Sequence, residues 1–131
     1  MSQKQKQVIR TEDAPAPFQG APYNQAIVAN GFAFVAGQLG VDPGSGEMVE
    51  GGIGPQTERV LANLRAILEA AGSSLDAVVK TTVFLTNLDD FAGMNEVYSR
   101  EIGDRPPARS TVEVGRLPAG GLVEIEAIAL V

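Results

Sequence analysis

The chain has 131 residues, 44% hydrophobic and 20% charged, a balance that suits one folded domain with one core rather than a disordered segment. It contains no cysteine and no histidine, which excludes disulfides, thiolate nucleophiles, zinc-finger ligand sets and every scheme built on an imidazole. A formal net charge of -6 sets the molecule against a phosphate backbone, so nucleic acid is a poor partner. Met1 to Gln7 is rich in Lys and Gln with no apolar run behind it, so it reads as a frayed cytoplasmic tail and not as a signal peptide or a membrane anchor. The rest, within a single domain spanning 1–131, begins with a short strand near Val8. Gln25 to Ala29 and Phe32 to Leu39 are apolar runs separated by Asn30-Gly31, a dipeptide that tolerates positive φ and predicts a two-residue hairpin. Val41 to Gly54 carries five glycines and a proline without periodicity and reads as a loop; its Gly51-Gly52-Ile53-Gly54 has neither dinucleotide nor phosphate-loop spacing.

Pro55 suits the first turn of a helix in which Val60, Leu61, Leu64, Ile67 and Leu68 recur at helical spacing until Gly72. Val78 to Thr86 is strand-like. Asn87 or Asp89 then opens a second helix with Phe91, Met94, Tyr98 and Ile102 on one face, and Arg105-Pro106-Pro107 stops it. Two strands, Ala108 to Val114 and Leu122 to Val131, are joined by a loop with Pro118 and Gly120-Gly121. This order predicts an α+β layer: a six-stranded mixed sheet with two helices on one face and the other face in need of cover. A domain this small buries a limited share of its surface, which favours self-association.

Chemistry is concentrated in the last two strands. The two-residue period puts Glu124 and Glu126 on one side, with Cβ atoms about 7 Å apart, and Val123, Ile125, Ala127 and Ala129 on the other. Arg109, Thr111 and Glu113 form a second polar stripe. Paired as an antiparallel hairpin, the two strands would set these stripes side by side on the face away from the helices. A guanidinium matches a carboxylate in two parallel hydrogen bonds, so Arg109 could hold an acidic substrate while Glu124 steers a water. Local pattern alone favours a plain cross-strand ion pair, and the paired glutamates on a terminal strand can equally be edge protection. Tyr23 before a strand ordinarily packs, and Asn95 on an amphipathic helix is ordinarily solvated.

Taken together, these segments resemble the RidA/YjgF family from about Thr11 to the C-terminus. The strongest stretch is Arg105-Pro106-Pro107-Ala108-Arg109-Ser110-Thr111-Val112-Glu113-Val114, followed by Leu117-Pro118 and Val123-Glu124-Ile125-Glu126-Ala127. Ala21-Pro22-Tyr23-Asn24-Gln25, Ala36-Gly37-Gln38, Gly51-Gly52-Ile53 before Gln56-Thr57, Asn63-Leu64, Ala70-Ala71-Gly72 and Val79-Lys80-Thr81-Thr82-Val83-Phe84-Leu85 support it.

The resemblance implies a chorismate-mutase-like fold, a homotrimer around a central barrel of sheets, and active sites in clefts between subunits. It implies hydrolytic deamination of reactive enamines and imines, such as 2-aminoacrylate and 2-aminocrotonate released by pyridoxal-phosphate enzymes, to 2-oxo acids and ammonia. Neither metal nor cofactor is implied, nor any nucleic-acid or membrane partner. Arg109 would grip the substrate carboxylate with backbone near Gly37, Glu124 would orient or activate water, and Tyr23, Asn95 and Thr111 would line the cleft. The chain departs from the pattern at Ala36, where many active members have Ser, and at Thr111, where Cys is common. Loss of the hydroxyl at residue 36 keeps an alternative open, a regulatory trimer that binds small carboxylates without turnover. Nuclease activity is disfavoured by the acidic balance and the absence of histidine.

Overall fold

A computed structural model describes residues 5–131. Six strands form one mixed sheet: β1 (Gln7–Ile9), β2 (Ala26–Ala29), β3 (Phe32–Leu39), β4 (Val78–Leu85), β5 (Ala108–Glu113) and β6 (Val123–Leu130), in spatial order β1-β2-β3-β6-β4-β5. Helix α1 (Ile53–Ala70) crosses between β3 and β4, and α2 (Phe91–Ile102) between β4 and β5. Of the stretch 1–7 expected as a tail, residues 1–4 lie outside the described residues, and Gln7 already opens β1 against Val28.

The β2–β3 hairpin turns on Asn30 and Gly31, both at positive φ (57° and 84°), the backbone a tight primed turn requires. Helix α1 starts at Ile53, two residues before the expected Pro55. The proline is accommodated there because N–H groups of the first turn have no intrahelical partner. Asn87 does act as an opener, but of a 3-10 turn (Leu88–Asp90) leading into α2; its side chain accepts the Asp89 N–H at 2.8 Å.

One expectation is overturned. The last two strands do not form a hairpin: β5 lies parallel to β4 at the sheet edge, and β6 inserts between β3 and β4, antiparallel to both. The β4–α2–β5 segment is a crossover unit, since a helix intervening between two strands returns the chain in parallel. The central position then goes to β6, whose Val123, Ile125, Ala127 and Ala129 are all at most 3% exposed beneath the helices. Polar, largely accessible β5 is tolerated at the edge, where one side of the ladder faces water.

The core lies between the sheet and one helix layer: Val60, Leu61, Leu64, Ile67 and Leu68 of α1 and Met94, Val97, Tyr98 and Ile102 of α2 pack over the inward side chains of the central strands. Phe91, expected on that buried face, stays 41% exposed. The opposite face carries cross-strand apolar pairs, Phe32 with Leu130 and Phe34 with Ile128, and within one chain Phe34 and Leu130 remain exposed. No helix of the described residues is long and apolar enough to cross a membrane.

Candidate active site

The structure distributes the six sequence-predicted site residues between two clusters. Glu124 belongs to the first. It sits on β6 on the open face of the sheet, across from Leu39 of β3 and Phe84 of β4. The β3–β6 register shifts between Val35 and Gln38, a bulge that turns Ala36 and Gly37 toward Glu124. Contact there is close: a Cβ on residue 37 would stand 2.8 Å from the Glu124 Cδ and 2.9 Å from its Cγ. Only glycine lets the carboxylate arm lie on the strand backbone.

A cavity of about 720 Å³ opens at this point, lined by Glu124, Gly37, Ala36 and Tyr23 and walled by apolar groups such as Phe18, Leu39, Met48 and Pro118. Tyr23 is held at the mouth, its hydroxyl accepting the Phe18 N–H at 2.7 Å. Behind it, buried Gln25 donates through Nε2 to the carbonyls of Thr11, Ala14 and Pro15 and accepts the Thr11 N–H at 2.7 Å, so one side chain ties the 11–15 segment to the sheet. Burial pushes the Glu124 carboxyl above the usual carboxylate range, and the neighbouring charge of Glu126 pushes in the same direction. Among the described residues no cation lies within 4 Å of Glu124 to oppose that shift.

Arg109 anchors the second cluster. It is paired with Thr81 across the β4–β5 ladder, so its side chain rises on the helix-covered face. The guanidinium lies 4.8 Å from the Tyr98 ring centroid and 5.6 Å from that of Phe91, two aromatic residues of α2. Tyr98 is fixed from below by a 2.7 Å hydrogen bond between its hydroxyl and that of Thr81. Asn95 lies on the same stripe of α2, one turn from both rings, and Thr111 follows Arg109 on the same side of β5. No carboxylate among the described residues lies within 4 Å of Arg109, so the cross-strand ion pair is not formed.

The two stripes therefore do not adjoin. Strand β4 separates them, about 10 Å in two strand spacings, and they point to opposite faces of the sheet. Tyr23, Gly37 and Glu124 line one cavity; Arg109 and Thr111 share a side of β5 elsewhere, and Asn95 stands on α2 between the two rings that flank Arg109. The first cluster can hold and deprotonate a small polar molecule beside an apolar wall, and the second can clamp an anion on an aromatic platform.

Sequence reasoning did not assign roles to Gln25, Gln56 or Asn63, all buried. A readable signal existed: Gln56 and Asn63 interrupt the apolar stripe of α1 at Gln56, Val60, Asn63 and Ile67, where a buried amide must find partners. Tyr98 belongs to the core and also supports Arg109.

The family model described as Endoribonuclease L-PSP matches residues 11–131. A RutC family protein of Pyrococcus horikoshii is 56% identical over 124 residues, 95% of this chain and 97% of the relative. The 2-iminobutanoate/2-iminopropanoate deaminase of Bos taurus is 42% identical over 130 residues, 99% of this chain and 93% of the relative. The crystal structure of E. coli TdcF with bound serine superposes with a TM-score of 0.89 at 39% identity, covering 95% of this chain and 98% of that one.

Proposed function

The chain belongs to the RidA/YjgF family, and from that premise we propose that it is a 2-iminobutanoate/2-iminopropanoate deaminase, hydrolysing reactive imines and enamines to 2-oxo acids and ammonia in the cytoplasm. The observation that carries the chemistry is the Glu124 carboxyl lying on the Gly37 backbone, half-buried and, among the described residues, without a cation within 4 Å, in an apolar-walled cavity.

An iminium carbon is already electrophilic, so the protein has three tasks: to fix the substrate, deliver a water and move protons. An enamine substrate first takes a proton on carbon to become the iminium form of the imine. Glu124 holds the water and accepts its proton as the oxygen bonds to the imine carbon; that proton then passes to nitrogen. Glu124, again unprotonated, takes the hydroxyl proton as the carbon–nitrogen bond breaks, ammonia leaves, and the carbonyl of the 2-oxo acid forms with no net oxidation. A carboxyl whose pKa is raised is a better base for this step than an ordinary one, and it returns the proton more readily than a strong base would. Arg109 receives the substrate carboxylate in a bidentate clamp, its planar group already oriented by Tyr98 and Phe91.

Both clusters can serve one substrate only when a second chain is present. We assign the protein to a homotrimer whose sheets form a central barrel, with each site built from Tyr23, Gly37 and Glu124 of one subunit and Asn95, Arg109 and Thr111 of the next. The exposed apolar face of Phe32, Phe34 and Leu130 supports that assembly, since apolar area of this kind gains about 25 cal/mol per Å² when covered. TdcF, a structural relative crystallised with serine, holds a small amino acid; the 2-imino acids proposed here share its carboxylate. RNA cleavage, the activity in the family model's description, sits poorly with a net charge of -6 and no histidine.

The test is 2-oxobutanoate release from threonine by a threonine dehydratase, with an amine scavenger slowing spontaneous hydrolysis, in the presence and absence of the protein. Acceleration that disappears in Arg109→Ala establishes imine hydrolysis at this site. Binding of 2-oxobutanoate without any acceleration would instead favour the ligand-sensing trimer that Ala36 leaves open, and Ala36→Ser would be the first substitution to make.

A further inference from the structure

Strands β3 and β6 carry Gly37 and Glu124, and their ladder ends at the pair Leu39–Glu124. Beyond that pair the strands diverge, and both ends are met by side chains of α1. Asn63 Nδ2 donates to the carbonyls of Leu39 and Val41 at 3.1 and 2.9 Å, while its Oδ1 accepts from Arg59 Nε at 3.1 Å. Gln56 Oε1 accepts the N–H of Leu122, two residues before Glu124, at 2.9 Å. The same residue lies against the end of β3, where a Cβ on Gly40 would stand 2.9 Å from the Gln56 Cα. The amides are seven residues apart, two helical turns, so one face of α1 grips both strands. Asn63 is 0% and Gln56 6% exposed, and the hydrogen bonds run to the cross-strand partner of Glu124 and to the residue from which β6 enters the sheet.

We infer that Gln56 and Asn63 are positioning residues: acting through Leu39, Val41 and Leu122, they hold the Glu124 carboxyl at a fixed height over Gly37. This rests on the deaminase reading of the site. A carboxylate that must place a water within about half an ångström of its productive position needs its strand held on both sides, and a displacement of about 1 Å costs on the order of 10²-fold in rate. A buried amide whose role is only to satisfy nearby backbone groups would influence stability and leave turnover alone. That difference is measurable.

The experiment compares kcat and KM for imine hydrolysis in wild type, Gln56→Met, Gln56→Glu, Asn63→Ser and Thr57→Val, with thermal unfolding of each. Gln56→Met removes the acceptor at nearly constant volume, whereas Gln56→Glu keeps an acceptor oxygen at the same reach. Asn63→Ser leaves room for a water to bridge the two carbonyls should the larger change at residue 56 prevent folding. Thr57, equally buried but bonded only to the Ile53 carbonyl within its own helix, is the control for stability alone. Expected are kcat losses of about tenfold or more in Gln56→Met and Asn63→Ser with KM within about threefold, recovery of most of kcat in Gln56→Glu, and no change in Thr57→Val. Unchanged kcat in folded Gln56→Met or Asn63→Ser would overturn the positioning role. So would a kcat loss in Thr57→Val that tracks its loss of stability. Absence of acceleration by the wild-type protein would instead strike the deaminase reading itself, which keeps the two failures apart.

Discussion

The two clusters are built in opposite ways. Around Glu124 the chain encloses: a bulge, a glycine in contact and loops pinned by buried amides keep the carboxyl half-buried and raise its pKa. Around Arg109 the chain presents: an edge strand and an aromatic platform hold a guanidinium with no carboxylate within 4 Å among the described residues. A carboxylate base is tuned by removing water from it and setting a like charge nearby, so it needs walls. An anion clamp needs orientation and must keep its charge available, so it suits an edge. The contrast shows how one small domain can carry two incompatible environments: it places them on opposite faces of its sheet, with β4 between them.

Mixing subunits gives the sharpest test of this division. Arg109→Ala and Glu124→Gln should each fold and each lose about 10²-fold or more in kcat/KM. Co-assembled in equal amounts, they should regain activity, because a site that takes Glu124 from one chain and Arg109 from the next is intact with a chance of one half times one half. Recovery to about a quarter of wild-type activity is expected for a shared site. No recovery in verified mixed oligomers would place both residues in one chain's site and dissolve the comparison.

The enclosed half can be broken by a single methyl group. Gly37→Ala puts its Cβ against the Glu124 arm, and because the clash is with a flexible side chain, the carboxyl moves more readily than the backbone. Activity should fall by about 10²-fold while stability falls by roughly 1–3 kcal/mol, read by assay and urea denaturation. A loss of stability without loss of rate would detach Gly37 from the chemistry.

Glu124 also leaves a trace in the pH dependence of stability. Its folded pKa is raised, so between the unfolded and folded values the folded state binds more protons, and stability falls as pH rises through that window. Glu124→Gln removes this contribution. The variant should match wild type below the window and exceed it above, a difference that denaturation at pH 4 and pH 8 would reveal; equal slopes would mean that burial does not perturb the carboxyl.

The smallest effect belongs to the presenting half. Tyr98→Phe loses the hydrogen bond with Thr81 but keeps the ring under Arg109, so the protein should lose about 1–2 kcal/mol of stability with kcat/KM changed less than about threefold. A large loss of activity would show that the tyrosine hydroxyl, and not its ring, governs Arg109.

Much of this architecture is written locally. Asn30-Gly31 specifies its hairpin, the 3.6-residue stripe of α1 specifies its buried face, and the two-residue period of β6 correctly separates Glu124 and Glu126 from the core side. Arg109 and Glu124 could be nominated because they stand on polar stripes of the last two strands, inside the segments that carry the family resemblance. Their relationship could not. Which strand lies beside which is decided by contacts among residues distant in the chain, where a crossover helix forces β4 and β5 parallel and the most apolar inward row draws β6 to the centre. The bulge at Ala36-Gly37 and the grip of Gln56 and Asn63 on the diverging strands likewise exist only once those strands have met. Periodicity therefore determined which side of its own strand each residue faces, while tertiary structure alone decided the neighbours it meets there, because side-chain direction follows from the local backbone and adjacency follows from burying the whole core at once.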